Sequence, residues 1–359
     1  MVWNWQLPDW PQFVYDSSLL ASLENRFLQE AGGTFAIFKH LDDNDKKNFI
    51  VELLCTEGME SSEIEGELLQ RESLQFSIQR HFGLITDKHR ILPKEEGMAN
   101  LMCTVYDTYN QPLSHETLYE WHRLLFNRSN TEGYRSHEEP MQIVSRRYDR
   151  ERVYFEAPRS KEVFKEMTAF IDWFNSFKEE KSVLARAAVA HLYFESIHPF
   201  EDGNGRIGRA LVEKLLSQGL QRPTLIAVSH IIAKRKKEYY AALDACNRTL
   251  CVDKWVSFFG EVIVQSQDEA LRLIHFLMAK CTLMSSLVNK INERQEKALL
   301  RMFAEGPVGF KGGLSAENYI RITKTSRATA SRDLADLVEK GALRKTGRLK
   351  QTRYWLNID

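Results

Sequence analysis

Apolar positions along this chain recur mainly with helical spacing. In "DSSLLASLENRFLQEAGG", Leu19, Leu20, Leu23, Phe27 and Leu28 form a stripe at i, i+3 and i+4, which predicts a helix ending at Gly32–Gly33. "NDKKNFIVELLCTEGMESSEIEGELLQRESLQFSIQRHFG" carries the same period and predicts two more helical segments, with Gly83 as the stop. "DKHRILPKEEG" reads as a linker, and helical pattern resumes from about Gly97 to Asn127 and from Ser160 to Phe177. One stretch departs from this period. In "MQIVSRRYDRERVYFEAPRS" the β-prone runs Met141–Ser145 and Val153–Phe155 flank a charged turn, which predicts a hairpin.

"SVLARAAVAHLYFESI" is apolar on most faces and predicts a buried helix. Pro199 biases His198 away from the α conformation, so that helix ends there. "RIGRALVEKLLSQG" restarts a helix with Ile207, Ala210, Leu211 and Leu215 on one side and Gly219 as the C′ residue. Helical pattern continues to about Lys290. The tail reads helix, turn, helix, with Ser326–Arg332 opening the second helix, then a hairpin around Gly347 in "LRKTGRLKQTRYWL".

The length of 359 residues predicts two or three domains, and 43% apolar with 27% charged residues is an ordinary globular composition. Formal net charge is zero, so any nucleic-acid surface must be local. Residues 321–359 supply one, with ten Lys/Arg against four Asp/Glu, a local +6 by subtraction. Cys55, Cys103, Cys246, Cys251 and Cys281 are scattered and odd in number, with no C-x-x-C pair, so neither a disulfide framework nor a zinc site is indicated. No signal-peptide pattern and no membrane-length apolar run occurs, so a soluble cytoplasmic protein is expected, without membrane partners.

The polar chemistry concentrates in "HPFEDGNGRIGR", residues 198–209. Its glycine turn precedes a helix N-terminus, where unpaired N–H groups favour anions and glycines admit phosphate to the backbone. Arg206 and Arg209 lie three apart, on one face of the first turn, and suit a polyphosphate. Asp202 can hold Mg²⁺ between phosphate oxygens. His198 is a candidate general base near neutral pH. The residues alone leave open a plain glycine turn whose arginines pair locally, for example Arg209 with Glu213.

The whole stretch resembles the H-x-F-x-[DE]-G-N-G-R-x-x-R signature of Fic domain proteins, without departure. The "GYR…MQIV" hairpin, "APRSKEVFKEMTAFIDWF" and "KEYYAALDACN" are similar to Fic elements in the usual order, over most of residues 95–265. The resemblance implies transfer of AMP from ATP, with Mg²⁺, onto a Ser, Thr or Tyr hydroxyl of a target protein or of the enzyme itself. It implies His198 as base, Asp202 as Mg²⁺ ligand, and Gly203, Asn204 and Gly205 as the anion hole. Ile207 and Gly208 continue that nucleotide-binding segment. It further implies Arg206 on the β-phosphate, Arg209 on the γ-phosphate and Phe200 as an apolar anchor. Tyr239, Tyr240 and Asn247 match the adenine side, although a Tyr pair on an apolar helix reads as core by itself. Met141, Gln142, Ile143 and Val144 match the flap strand that docks the target by β-augmentation. Gly205 argues against the phosphorylating relatives, which carry Lys there; phosphocholine transfer is not excluded by the turn.

In "SSEIEGELLQ", Ser61 and Glu65 share a helix face and Gly66 follows, which resembles the family's inhibitory pattern [ST]-x-x-x-E-[GN]. The resemblance implies that Glu65 pairs with Arg209 at the γ-phosphate position. In some relatives this Glu instead orients a water that removes AMP. Ser62-x-x-Glu65 also reads as a capping box. The aromatic start "WNWQLPDWPQFVYD" is expected to pack on the helical domain and close its core. The expected architecture is mostly α. It comprises a helical N-terminal domain over 1–94 with the inhibitory helix, a Fic-type core with a β-hairpin flap over 95–265, and a linker helix with a winged helix over 266–359. The basic second helix and wing suit duplex DNA, with a protein-docking or homodimer role as the alternative. A DNA-binding regulator whose core only senses nucleotide is the alternative function; an intact His198 argues against it.

Overall fold

The computed structural model describes residues 2–86, 91–129, 133–144, 153–176, 182–307, 309, 310 and 312–358. The charged turn expected at 145–152, including Ser145, and the start of the expected linker at 87–90 lie outside the described residues. The chain divides into two compact units, Met1–Ala270 and Leu271–Asp359.

The first unit is built from helices α1 (Ala21–His40), α2 (Asp43–Ile64), α3 (Arg71–His81), α4 (Pro93–Asp107) and α5 (His115–Leu125), then a hairpin β1 (Gln142–Val144) and β2 (Val153–Glu156). Helices α6 (Ser160–Asn175), α7 (Val183–Ile197), α8 (Asn204–Leu220), α9 (Val228–Lys234), α10 (Lys236–Cys246) and α11 (Asp253–Ser286) follow, the division between units falling within α11. α12 (Glu293–Phe303), α13 (Ala316–Thr323), α14 (Arg327–Glu339), β3 (Leu343–Thr346) and β4 (Arg353–Leu356) complete the second unit. The two helices and the hairpin read from the tail are present, with Ser326 as N-cap accepting from the Thr329 N–H.

α7 and α8 are the centre of the first unit. Leu184, Ala187, Ala190, Phe194, Ile207, Leu211 and Leu215 all have no solvent exposure. Trp255 of α11 is equally buried and donates its indole N–H to the Ala188 carbonyl of α7 at 2.7 Å. Each of the Leu, Ile and Phe side chains contributes roughly 1.5–3 kcal/mol by burial, so the helix pair that carries the motif is firmly held.

Two helices run past the glycines expected to end them. α1 continues through Gly32–Gly33 to His40, because Thr34 is buried and Phe38 packs on Phe49 of α2 at a ring distance of 5.7 Å. Tertiary packing there outweighs the glycine penalty of about 1 kcal/mol per residue. α8 passes Gly219, which sits against Val183, and ends at Gln221 in the left-handed region with φ 54°. Glu65 is the C-cap of α2, so the capping-box reading of Ser62 and Glu65 at a helix start does not hold.

The N-terminal segments brace the motif helices from outside. Glu24 of α1 accepts from the backbone N–H groups of Val183 and Leu184 at 2.9 and 3.1 Å and from the Ser182 hydroxyl at 2.7 Å, capping α7 in trans. Asn4, fully buried, bonds the Ser196 hydroxyl at 2.9 Å, and Trp3 packs edge-on against Phe155 of the hairpin at 5.5 Å. Glu24→Ala should therefore lower stability by about 1–3 kcal/mol, read as a fall in the urea midpoint; an unchanged midpoint would contradict the capping role.

Candidate functional site

The turn between α7 and α8 is set by local backbone chemistry. His198 closes α7 in the left-handed region, with φ 49° and ψ 61°. The Asn204 side chain spans the turn, its amide donating to the Phe200 carbonyl at 2.8 Å and its oxygen accepting from the Phe200 N–H at 2.9 Å. Phe200 is buried and stacks on His122 at 4.3 Å, which seats the loop. Gly203 opens α8 with φ 89°, a conformation that favours glycine. Asp202 Oδ1 accepts from the Gly203 N–H at 2.6 Å and lies 3.2 Å from Arg206 Nη2.

A cavity of about 590 Å³ opens beside this turn. Its lining brings together His198, Asp202, Gly203, Asn204 and Gly205 with Tyr239, Tyr240 and Asn247, and with Ile143 and Val144 of the hairpin and Glu65 from α2. Arg206 and Arg209 are not among the lining residues. Both guanidiniums are covered, their side chains 6% and 1% exposed.

The cover is acidic. Glu65 Oε1 lies 2.9 Å from Arg209 Nη2, while Ser61 accepts from Arg209 through its hydroxyl at 2.9 Å and its carbonyl at 2.7 Å. The same Glu65 oxygen would stand 2.0 Å from a Cβ at position 205, so only glycine lets the carboxylate settle on the turn. Gly66, with φ 83°, then redirects the chain, and Glu67 Oε2 meets Arg206 Nη1 at 2.5 Å. Lys94 holds the other Glu67 oxygen at 2.7 Å. The end of α2 is tied to α10, where Lys236 Nζ and the Tyr240 hydroxyl donate to the Ile64 carbonyl at 2.6 and 3.3 Å. Farther back, the buried Glu57 of α2 accepts from the Ser229 N–H of α9 at 2.7 Å and from its hydroxyl.

Burial, and next Arg135, push the His198 imidazole down to about 4, so the ring is neutral at physiological pH. Arg135 donates to the His198 carbonyl at 2.8 Å. Glu195 Oε2 lies 3.8 Å from His198 Nδ1, beyond hydrogen-bond reach, and burial followed by the charge of Glu65 pushes its carboxyl up to about 8. Burial works against the Arg209 charge, yet Glu65 more than offsets it and holds the guanidinium above its ordinary range.

The remaining residues singled out from the sequence are placed as follows. Ile207 is fully buried in the core and Gly208 lies inside α8, so neither side-chain position faces the cavity. Tyr239 is buried and bonds His191 Nε2 at 2.8 Å, while Tyr240 is 44% exposed. Asn247 donates to the Tyr154 carbonyl at 3.1 Å. Met141 packs with Trp3, Phe155 and Ala157, and Gln142 bonds Glu156 at 2.7 Å. Ile143 and Val144 are exposed on a strand whose only partner among the described residues is β2. Sequence reasoning did not single out Glu67, Lys94, Glu195, Arg135 or Asn4. The alternation Glu65-Gly66-Glu67 was the one visible signal for the first of these.

Residues 112–216 match the family model described as Fic/DOC family, and residues 3–84 match a domain of unknown function, DUF4172. The chain carries a Fic/DOC-family domain. It is similar to protein adenylyltransferase fic-1 of Caenorhabditis briggsae, 24% identical over 169 residues that make up 45% of this chain and 30% of that one. Protein adenylyltransferase Fic of Culex quinquefasciatus is 36% identical over 85 residues, 23% of this chain and 15% of its own. The chain thus spans under a third of the length of these curated relatives. A Fic family protein from Desulfovibrio desulfuricans G20 shares the fold with a TM-score of 0.55 at 21% identity, covering 96% of this chain and 98% of its own.

The electrostatics can be checked directly. A proton NMR titration, assigned by comparison with His198→Ala, should place the His198 midpoint near 4. A midpoint at the ordinary value of 6.5 would contradict the buried, neutral imidazole.

Proposed function

We propose that this protein transfers AMP from ATP to a hydroxyl side chain of a target protein, and that Glu65 restrains the reaction. One observation carries the reading: the Glu65 carboxylate rests on Gly205 and on Arg209, where an anion would bind at the head of α8. A carboxylate there mimics a phosphate oxygen set, and the glycine turn, Asp202 and His198 surround the same cavity. The relatives named protein adenylyltransferases support the reaction class.

In the proposed reaction the target hydroxyl oxygen attacks the α-phosphorus. A new P–O bond forms, the bond to the β-phosphate bridge breaks, and pyrophosphate leaves. His198 takes the hydroxyl proton; Nδ1 is buried, which leaves Nε2 for that role. The N–H groups at the start of α8 and the two arginines stabilise phosphate charge, and positioning with charge neutralisation supplies most of the acceleration. Asp202 fits a Mg²⁺ ligand, since its side chain is 71% exposed at the cavity beside the turn. Among the described residues no group of three or more His, Cys, Asp or Glu forms a protein cage, and Mg²⁺ bound with substrate phosphates needs only one or two carboxylates. When bound, the ion would neutralise charge on the phosphates. The exposed edge of β1 at Ile143 and Val144 suits an extended target segment added as a strand.

With ATP labelled at the α-phosphate, Glu65→Gly should raise label transfer to protein at least tenfold, and His198→Ala should abolish it in either background. Equal labelling by wild type and Glu65→Gly would remove the inhibitory role. Label arriving only from the γ-position would replace AMP transfer with phosphorylation.

A second reading, duplex-DNA binding by the Leu271–Asp359 unit, is favoured by its charge segregation. Arg327 and Arg332 of α14 and Arg344, Lys345 and Arg348 of the hairpin are exposed. Two of the three acids of α14 are engaged elsewhere: Asp333 accepts from Arg294 and Tyr319, each at 3.0 Å, and Asp336 from Gln295 at 2.6 Å. About five phosphate contacts predict a fall of log affinity with log salt of slope about −4 to −5. Absence of binding to a random duplex at low salt would dismiss this reading.

A further inference from the structure

We propose that Glu67 is a second phosphate mimic, which holds Arg206 as Glu65 holds Arg209 and so determines how the site responds to the number of phosphates on a nucleotide. The inference rests on the nucleotide-binding reading above and assigns a role to a residue outside the inhibitory pattern.

The Arg206 side chain is nearly as enclosed as that of Arg209, and it lies against the Phe126 ring at 5.2 Å. Its Nε is buried without a hydrogen-bond partner among the described residues. A guanidinium in such surroundings requires anions, and two reach it: Glu67 at 2.5 Å and Asp202 at 3.2 Å. Asp202 belongs to the turn and stays with it through the Gly203 N–H. Glu67 belongs to the segment that follows α2 and is held there by Lys94. The Gln70 N–H, three residues on, donates to Glu95 at 2.7 Å and ties that segment to the start of α4. Glu67 is therefore the removable partner of the pair.

The two contacts are geometrically matched. Arg206 and Arg209 are one helical turn apart on α8, whereas Glu65 and Glu67 are separated by one glycine at φ 83°. Without that left-handed residue the two carboxylates could not both turn toward one helix face. Two anions, fixed side by side, thus take the two arginines expected to hold successive phosphates. A nucleotide displaces both only by presenting phosphates at both places. One phosphate group leaves Glu67 where it is.

The experiment is calorimetric binding of AMP, ADP and a non-hydrolysable ATP analogue to the full chain. Glu67→Gln keeps the side-chain volume and removes the charge. It should tighten ADP about tenfold relative to AMP, because the β-phosphate then meets an Arg206 with a vacated charge partner. Glu65→Gly should instead improve the ATP analogue relative to ADP. Glu67→Asp, a milder change, should move in the same direction as Glu67→Gln if the latter is poorly folded. In the Glu65→Gly background, adding Glu67→Gln should lower KM for ATP several-fold, which a merely structural role does not predict. An unchanged ADP-to-AMP ratio in both Glu67 variants, with Glu65→Gly behaving as expected, would overturn the proposal and spare the functional reading. Failure of every nucleotide to bind every variant would overturn both.

Discussion

Two arginine side chains, buried on the first two turns of the motif helix, impose the main constraint on this protein. A guanidinium does not shed its charge at any physiological pH, and leaving one buried after its anion is removed typically costs about 3–5 kcal/mol. Arg209 is 1% exposed and Arg206 6% exposed, and the chain delivers a carboxylate to each. The end of α2, the left-handed Gly66, the Ser61 contacts and the Lys94 pair all serve that pairing. The same contact suits a glycine at residue 205, because the carboxylate that satisfies Arg209 rests where a Cβ would stand.

The helical character of the chain was legible because its apolar stripes are long and regular. The motif turn was legible because residues 198–209 hold nearly all their chemistry in one local stretch. Helix ends were less so. Gly32–Gly33 and Gly219 look like stops, but α1 is carried onward by aromatic contacts with α2 and α8 by its packing on α7. Such contacts join residues far apart in sequence and leave no local trace. The same holds at the site. Glu65 stood out through its resemblance to a short pattern, whereas Glu67 meets a partner 139 residues away from a segment with no helical period to frame it. Asn4 and Glu24, which brace α7 from 192 and about 160 residues away, were invisible for the same reason.

The site combines features that serve opposite ends. A neutral imidazole, a glycine turn and an exposed carboxylate are arranged around a cavity large enough for a nucleotide. Meanwhile both arginines are covered, satisfied by acids of the same chain. Glu195, pushed up to about 8, adds a carboxyl that keeps its proton beside Glu65 and so spares the region a further negative charge. The charge of each arginine is thus met by a carboxylate of the same chain.

The anchoring of α2 sets the scale of any change in this arrangement. Phe49, Val51, Leu54, Cys55 and Ile64 of this helix lie in the core, and Glu57 is fastened to the first turn of α9. Withdrawing the helix would cost roughly 1.5–3 kcal/mol for each such side chain, more than the fold can spare. Rotating a single glutamate about its own bonds costs on the order of 1 kcal/mol beyond the lost ion pair. Exchange of partners at the two arginines is therefore a matter of side-chain rotamers on a fixed frame. Its natural clock is set by breaking two ion pairs and turning two side chains, rather than by the microseconds to milliseconds of domain movement.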